Sequence, residues 1–285
     1  MRAGSQSQNS EAGGEIHFEF GKNWQGFLRG VNEERISLAE LSLKQLLGCE
    51  SLAGKSFLDV GSGSGLFSLA ARRLGAAVVS FDYDLASVDC TQRLKTLFRA
   101  GDTAWRIERG SALDKNYLLS LGSFDVVYSW GVLHHTGAMW NALENIVPLV
   151  KEGGKLFLAI YNDQGRLSNF WKGIKRAYNR THRRLRFVIL WPIGFFFATA
   201  VTLKDIIHLR RPRIISGFLD LRGMSVWSNI VDWVGGYPFE VASRDKIINF
   251  YRERGFSLDQ LVSCGRKLGC NQYVFTNSRQ KTSTA

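Results

Sequence analysis

A doubly wound α/β sheet is the architecture that the sequence predicts. The sheet is mostly parallel with its last strand antiparallel, and a helical insertion follows the fifth strand. Three observations lead to it. Apolar runs of strand length alternate with helix-length stretches from residue 55 to residue 161. A glycine-rich turn follows the first of those runs. The alternation then breaks, and resumes near residue 243 with one helix and two strands. Repeated βα units build parallel sheets, because each return to the sheet needs a crossover that covers one of its faces.

The elements follow in order. KSFLDVG (55–61) reads as a first strand and LFSLAARRLG (66–75) as its helix. AAVVSFD (76–82) is a second strand, with its helix in ASVDCTQRLKTLFRAG (86–101). TAWRIERGSA (103–112) carries a third strand and FDVVYSWGV (124–132) a fourth. MWNALENIVPLVKEGG (139–154) reads as a helix that ends on glycine, a residue that suits the left-handed C-terminal position. KLFLAIY (155–161) is the fifth strand. After the break, SRDKIINFYRERG (243–255) is a helix, and FSLDQLVSC (256–264) and CNQYVFTN (270–277) close the sheet as a strand pair.

A chain of 285 residues has room for one such domain with additions, and buries a core without disulfide help. Cys49, Cys90, Cys264 and Cys270 form no C-x-x-C pair and no metal-ligand spacing with histidine, so they read as reduced thiols of a cytoplasmic protein with no required metal. The expected organisation is a disordered polar tail over 1–15 and an N-terminal lid or helical segment over 16–54. A cofactor-binding core over 55–163, a basic and apolar insertion over 164–240 and the rest of the core over 241–285 follow.

The motif that carries chemistry is LDVGSGSG (58–65). Asp59 ends the first strand, and Gly61, Ser62, Gly63 and Gly65 turn the chain into the next helix. Glycine tolerates unusual backbone angles there and lets a ligand approach the backbone. The helix start offers unpaired N–H groups. Asp82 closes the second strand 21 residues after Gly61, a spacing that suits a carboxylate accepting from ribose hydroxyls. A strand, a turn, a helix and that acid together point to nucleoside binding. A nicotinamide dehydrogenase is the rival. Its third glycine would fall at Leu66, where a larger side chain crowds the helix against the strand.

Asp59 to Gly65, the FDYD at Phe81 to Asp84 and the GVLHH at Gly131 to His135 resemble class I methyltransferases. More narrowly, they are similar to the small-molecule enzymes exemplified by those of quinone biosynthesis, over about Lys55 to Asn162 and more loosely over the last forty residues. The resemblance implies a Rossmann-like methyltransferase sheet and S-adenosyl-L-methionine as cofactor. It implies that Asp59 and the glycine turn face the methionine part, that Asp82 binds the ribose and that Tyr83 packs on the adenine. Ser111, Ala112 and Leu113 would sit beside the adenine edge, with Asp114 standing in for the acid that the family often has at Ser111. Ser129 and Trp130 would lie near the amino-acid end.

Methyl transfer to a hydroxyl needs alignment and a base near the proton. His134 and His135, in that order, are the candidates, because they follow the fourth strand on the edge where this architecture binds ligands and imidazole can act as a base near neutral pH. Tyr161, Asn162 and Asp163 follow the fifth strand on the same edge. Trp227, Trp233, Tyr237 and Phe239, with Met224, could wall an acceptor pocket or form a satellite core. Phe20 and Trp24 are lid candidates by the same resemblance. Oxygen is the first acceptor atom to consider.

The net charge of +12 is concentrated. Residues 166–222 hold thirteen basic residues against two acidic ones, which points to an anionic partner. Within them, FVILWPIGFFFATAVTL (187–203) has no charge and is flanked by basic runs. A single span is disfavoured, since it is short, contains Pro192 and Gly194, and both of its ends must return to one sheet. A membrane-surface or re-entrant element over 183–213 at the inner membrane surface, an oligomer contact and an active-site lid remain. RNA methylation is the competing reading of the charge, although the apolar residues stand in one block rather than interleaved with it. A non-catalytic cofactor-binding scaffold is a third class.

Overall fold

The computed structural model describes residue 28 and residues 30–207, 226–265 and 267–279. The expected tail and residues 16–27 and 29 of the expected lid segment fall outside these residues.

Helix α1 (Glu33–Leu47) starts on Asn32, whose side chain accepts from Arg35 N, and ends at Gly48 in the left-handed region. These are the two residue types that helix ends favour. Seven strands follow: β1 (Ser56–Val60), β2 (Ala77–Asp82), β3 (Trp105–Arg109), β4 (Phe124–Trp130), β5 (Val150–Tyr161), β6 (Phe256–Val262) and β7 (Cys270–Asn277). They form one sheet in the order β3-β2-β1-β4-β5-β7-β6. β1 to β5 run parallel, while β7 lies antiparallel to both β5 and β6. The crossover helices are α2 (Leu66–Arg73), α3 (Leu85–Arg99), α4 (Lys115–Ser120) and α5 (Met139–Ile146).

Each face of the sheet has its own core. Leu58, Val60 and Val127 point to the side covered by α4, α5 and α9 (Arg244–Arg252). Phe57, Val126 and Phe157 point to the side covered by α1, α2 and α3. Strand alternation makes this division, and it sends Asp59, two positions after Phe57, toward α2.

Two expectations about boundaries are corrected. The helix expected over 139–154 stops at Ile146, and Val147–Leu149 form a short 3-10 turn around Pro148. Proline has no N–H to continue the helix and clashes with its preceding turn. The following residues therefore join the sheet, and β5 starts at Val150 rather than at Lys155. The third strand is also shorter than its apolar run, from Trp105 to Arg109.

The insertion is helical. It comprises α6 (Arg166–Arg180), α7 (Phe187–Ile207) and α8 (Val226–Gly235). Tyr178, Leu190, Ile230 and Val234 join the three in a separate small core. Phe187, Val188, Trp191, Phe195 and Phe196 on α7 are exposed, with 72% of Phe195 open to solvent. Among the described residues, no helix is long and apolar enough to cross a membrane.

Candidate active site

The sheet order reverses between β1 and β4. The crevice at their carboxyl ends is where open α/β sheets take ligands. Two loops meet there. Gly61, Gly63 and Gly65 all have positive φ, the region open to glycine. A Cβ on Gly61 would stand 2.4 Å from Cγ1 of Val132, in the loop after β4, so glycine is also what lets the two loops touch. Gly61 N and Ser62 N both donate to the Phe81 carbonyl at the end of β2, at 2.9 and 3.0 Å. Ser62 Oγ lies 3.0 Å from Thr91 Oγ1.

Asp82 anchors the same turn. Its Oδ2 accepts from Gly63 N at 2.9 Å and its Oδ1 from Asp84 N at 3.0 Å. Burial pushes its carboxyl up to about 6 in spite of those N–H donors. Each oxygen keeps a further lone pair for a ligand hydroxyl. Beside it the Tyr83 ring is 56% exposed, and the Arg109 guanidinium stands 5.6 Å from its centroid. Leu113 is also exposed, Ala112 is buried, and Ser111 Oγ accepts from Leu113 N at 3.2 Å. Asp114 accepts from Tyr117 N as the cap of α4.

Asp59 is turned inward. Ser68 of α2 donates to its Oδ2 at 2.5 Å, and the chain continues through Ser80 to Trp105 Nε1. Burial, with Asp82 adding to it, pushes the Asp59 carboxyl up to about 7 against the Ser68 bond. Sequence reasoning missed the Ser68–Ser80–Trp105 chain. The signal for it was a serine on the apolar face of α2. Ser129 is buried and donates to the Val60 carbonyl at 3.1 Å, while Trp130 is half-buried.

The histidines separate by burial. His134 has no exposed surface, and Tyr161 N approaches its Nδ1 at 3.4 Å. Its Nε2 is buried without a partner. Burial first, then the neighbouring His135 and Lys175, hold its imidazole well below its ordinary range. His135 is half-buried, and its Nδ1 lies 2.6 Å from the Pro238 carbonyl. Tyr161 stands between them and the insertion. Its ring centroid is 4.0 Å from that of His134, 5.4 Å from His135, 5.3 Å from Trp233 and 5.1 Å from Phe239. The structure thus brings His134, His135, Tyr161, Trp233 and Phe239 together, with Tyr237 half-buried next to Pro238.

Asn162 is occupied elsewhere. It donates to the Gly265 carbonyl and accepts from Asn271, both at 3.0 Å, and so ties β5 to the β6–β7 connection. Asp163 accepts from Gly165 N. Phe20, Trp24, Met224 and the side chain of Trp227 lie outside what is described.

Lys175 was missed altogether in the sequence, where it counts as one more charge in a basic block. It has no exposed surface and lies against Trp233 and Phe239. Helical spacing held the signal, because Trp171, Lys175, Tyr178 and Asn179 share the buried face of α6.

Comparison with known proteins adds to this geometry. Residues 58–156 match a family model described as a methyltransferase domain. A ubiquinone biosynthesis O-methyltransferase of Xanthomonas euvesicatoria pv. vesicatoria is 35% identical over 111 residues, which are 39% of this chain and 45% of that protein. Its counterpart in Nitrosococcus oceani is 31% identical over 129 residues, 43% and 50% of the two chains. The chain thus spans about half the length of these curated relatives. The magnesium protoporphyrin IX methyltransferase of Synechocystis PCC 6803, solved with bound SAH, shares the fold with a TM-score of 0.54 at 16% identity, over 90% of this chain and 94% of that one.

Proposed function

We propose, from the premise that this chain carries a class I S-adenosylmethionine-dependent methyltransferase domain over residues 58–156, that the protein methylates an oxygen of a small-molecule or lipid-linked acceptor. The observation that carries the reading is the pairing of two half-sites on one sheet edge: the Gly61–Asp82–Tyr83 cradle, and the His135–Tyr161–Trp233 cluster at the ends of β4 and β5.

The residues present fit the cofactor. A carboxylate with spare lone pairs, an exposed flat ring and a turn that admits no side chain are what a ribose, an adenine and a closely approaching backbone ligand require. Asp82 would take the ribose, Tyr83 and Leu113 the adenine, and the turn with Ser129 and Trp130 the amino-acid end. When bound, the cofactor supplies an electrophilic methyl group on sulfur. The chain supplies position and a base. His135 suits the base, because a carbonyl can only accept. The proton therefore sits on Nδ1 facing Pro238, and Nε2 holds the lone pair. Tyr161 and Trp233 keep water from that side and give a planar acceptor a surface to lie on.

The second half of the proposal is location. Phe187, Trp191, Phe195 and Phe196 are exposed on α7, and Lys172, Arg176, Arg180, Arg183 and Arg184 are exposed on α6 and on the connection that leads into α7. Aromatic residues with a basic surround suit an anionic lipid surface. A helix lying in that surface would hold the site against a lipid-linked acceptor.

The test is transfer of labelled methyl from S-adenosylmethionine to a panel of phenols, amines and carboxylic acids, beside calorimetry with S-adenosylhomocysteine and NADH. Label on phenolic oxygen with selective binding of the adenosyl ligand is the expected result. Label on nitrogen alone would overturn the oxygen acceptor, and binding of NADH alone would overturn the reading entirely.

A further inference from the structure

Lys175 lies on α6 with its side chain closed off from solvent. A buried ammonium is costly unless neighbouring groups answer its charge. Here Nζ donates to the Trp233 carbonyl. It also stands 4.3 Å from the Trp233 ring centroid, 4.7 Å from that of Phe239 and 5.8 Å from that of Tyr161. Ring faces attract a cation through their quadrupoles. Desolvation pulls the ammonium down to about 7, while Asp232 and Cys270 pull it back up. The ammonium is therefore held by its ring faces and one carbonyl rather than by a hydrogen-bonded carboxylate among the described residues, and it is charged below about pH 7.

Of the three rings around Lys175, Tyr161 packs against both histidines, and Trp233 and Phe239 pack against Tyr161. Buried polar atoms around them also lean toward donation. Trp233 Nε1 and Trp171 Nε1 are buried without partners, and the two indoles pack at 5.5 Å. His134 Nε2 is also buried without a partner. Among the described residues, this side of the site thus has a buried cation and two indole N–H groups in a low-dielectric setting, where a charge acts over a longer range than it does in water.

We propose that Lys175 is a specificity-determining residue whose ammonium, held beneath the Tyr161–Trp233–Phe239 wall, makes the acceptor site select a phenol in its ionised form. The inference rests on the oxygen-acceptor reading above and names the class of acceptor. A phenolate attacks carbon better than a phenol does, and an acceptor held in the ionised form leaves His135 no proton to remove, so His135 acts as base only for an acceptor that enters with its proton. The same charge disfavours an amine acceptor that carries an ammonium. A neutral aromatic wall would do the reverse, because desolvation alone favours the neutral phenol. The sign of the preference therefore separates the two.

The probe is para-nitrophenol, whose ionised form is coloured, titrated into the full chain with S-adenosylhomocysteine present. The wild type is expected to bind the phenolate at least tenfold more tightly than the phenol, to lose that preference in Lys175→Met, and to keep part of it in Lys175→Arg. Preference for the neutral form, no binding at all, or an equal preference in Lys175→Met would each overturn the proposal. Should Lys175→Met fail to fold, the wild type alone decides the matter. The order para-nitrophenolate, para-nitrobenzyl alcohol, para-nitrobenzylamine, from tightest to weakest, supports the proposal, and equal affinities overturn it. Labelled methyl transfer to the bound probe is read separately. A probe held as phenolate but never methylated supports the selectivity and counts against the oxygen-acceptor reading.

Discussion

Nδ1 of His135 lies 2.6 Å from the carbonyl oxygen of Pro238, 103 positions further along the chain. That bond ties the loop after β4 to the strand-like segment that leaves the insertion. Two more contacts repeat the tie: Glu240 N donates to the His134 carbonyl at 3.0 Å, and Met139 N donates to Glu240 Oε2 at 2.9 Å. The chain that leaves the insertion is thus bolted to the loop that carries His134 and His135.

His135→Ala should lower kcat by about 10²- to 10⁴-fold on an acceptor that binds with its hydroxyl proton in place, the usual contribution of a positioned base, and by less on a phenol that binds already ionised. Affinity for S-adenosylhomocysteine should change little, because the imidazole faces the acceptor side. Loss of cofactor affinity with kcat intact would remove His135 from the role of base.

Asp82→Ala should weaken S-adenosylhomocysteine binding at least tenfold by calorimetry, since it removes both the acceptor of ribose hydroxyls and the anchor of Gly63 N. The wild type should also bind less tightly as pH falls through about 6, where the Asp82 carboxyl takes up a proton and no longer accepts with both oxygens. Affinity that is flat from pH 8 to pH 5 would count against the assignment.

Asp59 makes the folded state sensitive to pH. Its carboxyl titrates at about 7 when folded, against an ordinary value of 3.8. The folded chain therefore holds a proton between those values that the unfolded chain has lost. Stability conferred in this way is complete below the lower value and falls as pH rises toward the upper one. Asp59→Asn should flatten the melting temperature across this window and raise it at pH 8. An unchanged pH dependence would mean that the carboxyl is ionised inside the fold.

Gly61→Ala adds a Cβ at φ +79, 2.4 Å from a methyl of Val132. Valine is stiff about χ1 and yields little. A left-handed alanine alone costs about 1–2 kcal/mol, and the clash adds to it. A fall in melting temperature of more than about 4 °C is expected for a chain of this size, together with loss of S-adenosylhomocysteine binding. A variant that melts and binds as the wild type does would show that the two loops need not touch.

The pair Phe195→Glu and Phe196→Glu places two carboxylates on the exposed face of α7. Sedimentation with vesicles of phosphatidylglycerol should be abolished, with S-adenosylhomocysteine affinity unchanged. A wild type that does not sediment with these vesicles sinks the membrane reading, and a concentration-dependent dimer lost in the same variant would assign the face to a second copy.

Much of this protein is legible in one dimension because local rules carry it. Periodicity placed β1 to β5, and the strand–glycine–helix pattern placed the turn that Asp82 anchors, since these features involve residues close together in sequence. A terminal glycine makes residues 147–154 read as the end of a helix, but Pro148 stops that helix and Val150 pairs with Phe124 of β4. The acceptor half depends on contacts across long stretches of chain. Burial divides His134 from His135 although they are adjacent, because the loop after β4 packs one ring on Tyr161 and turns the other toward Pro238. Lys175 reads as a surface charge until α6 docks on α8 and excludes water from it. Local sequence therefore determined that the chain folds as a doubly wound sheet with a cofactor turn. Only the tertiary structure decided which nearby side chains are wet, which are buried and which charges lie against the Tyr161 cluster, because desolvation belongs to the packed molecule rather than to any residue in it.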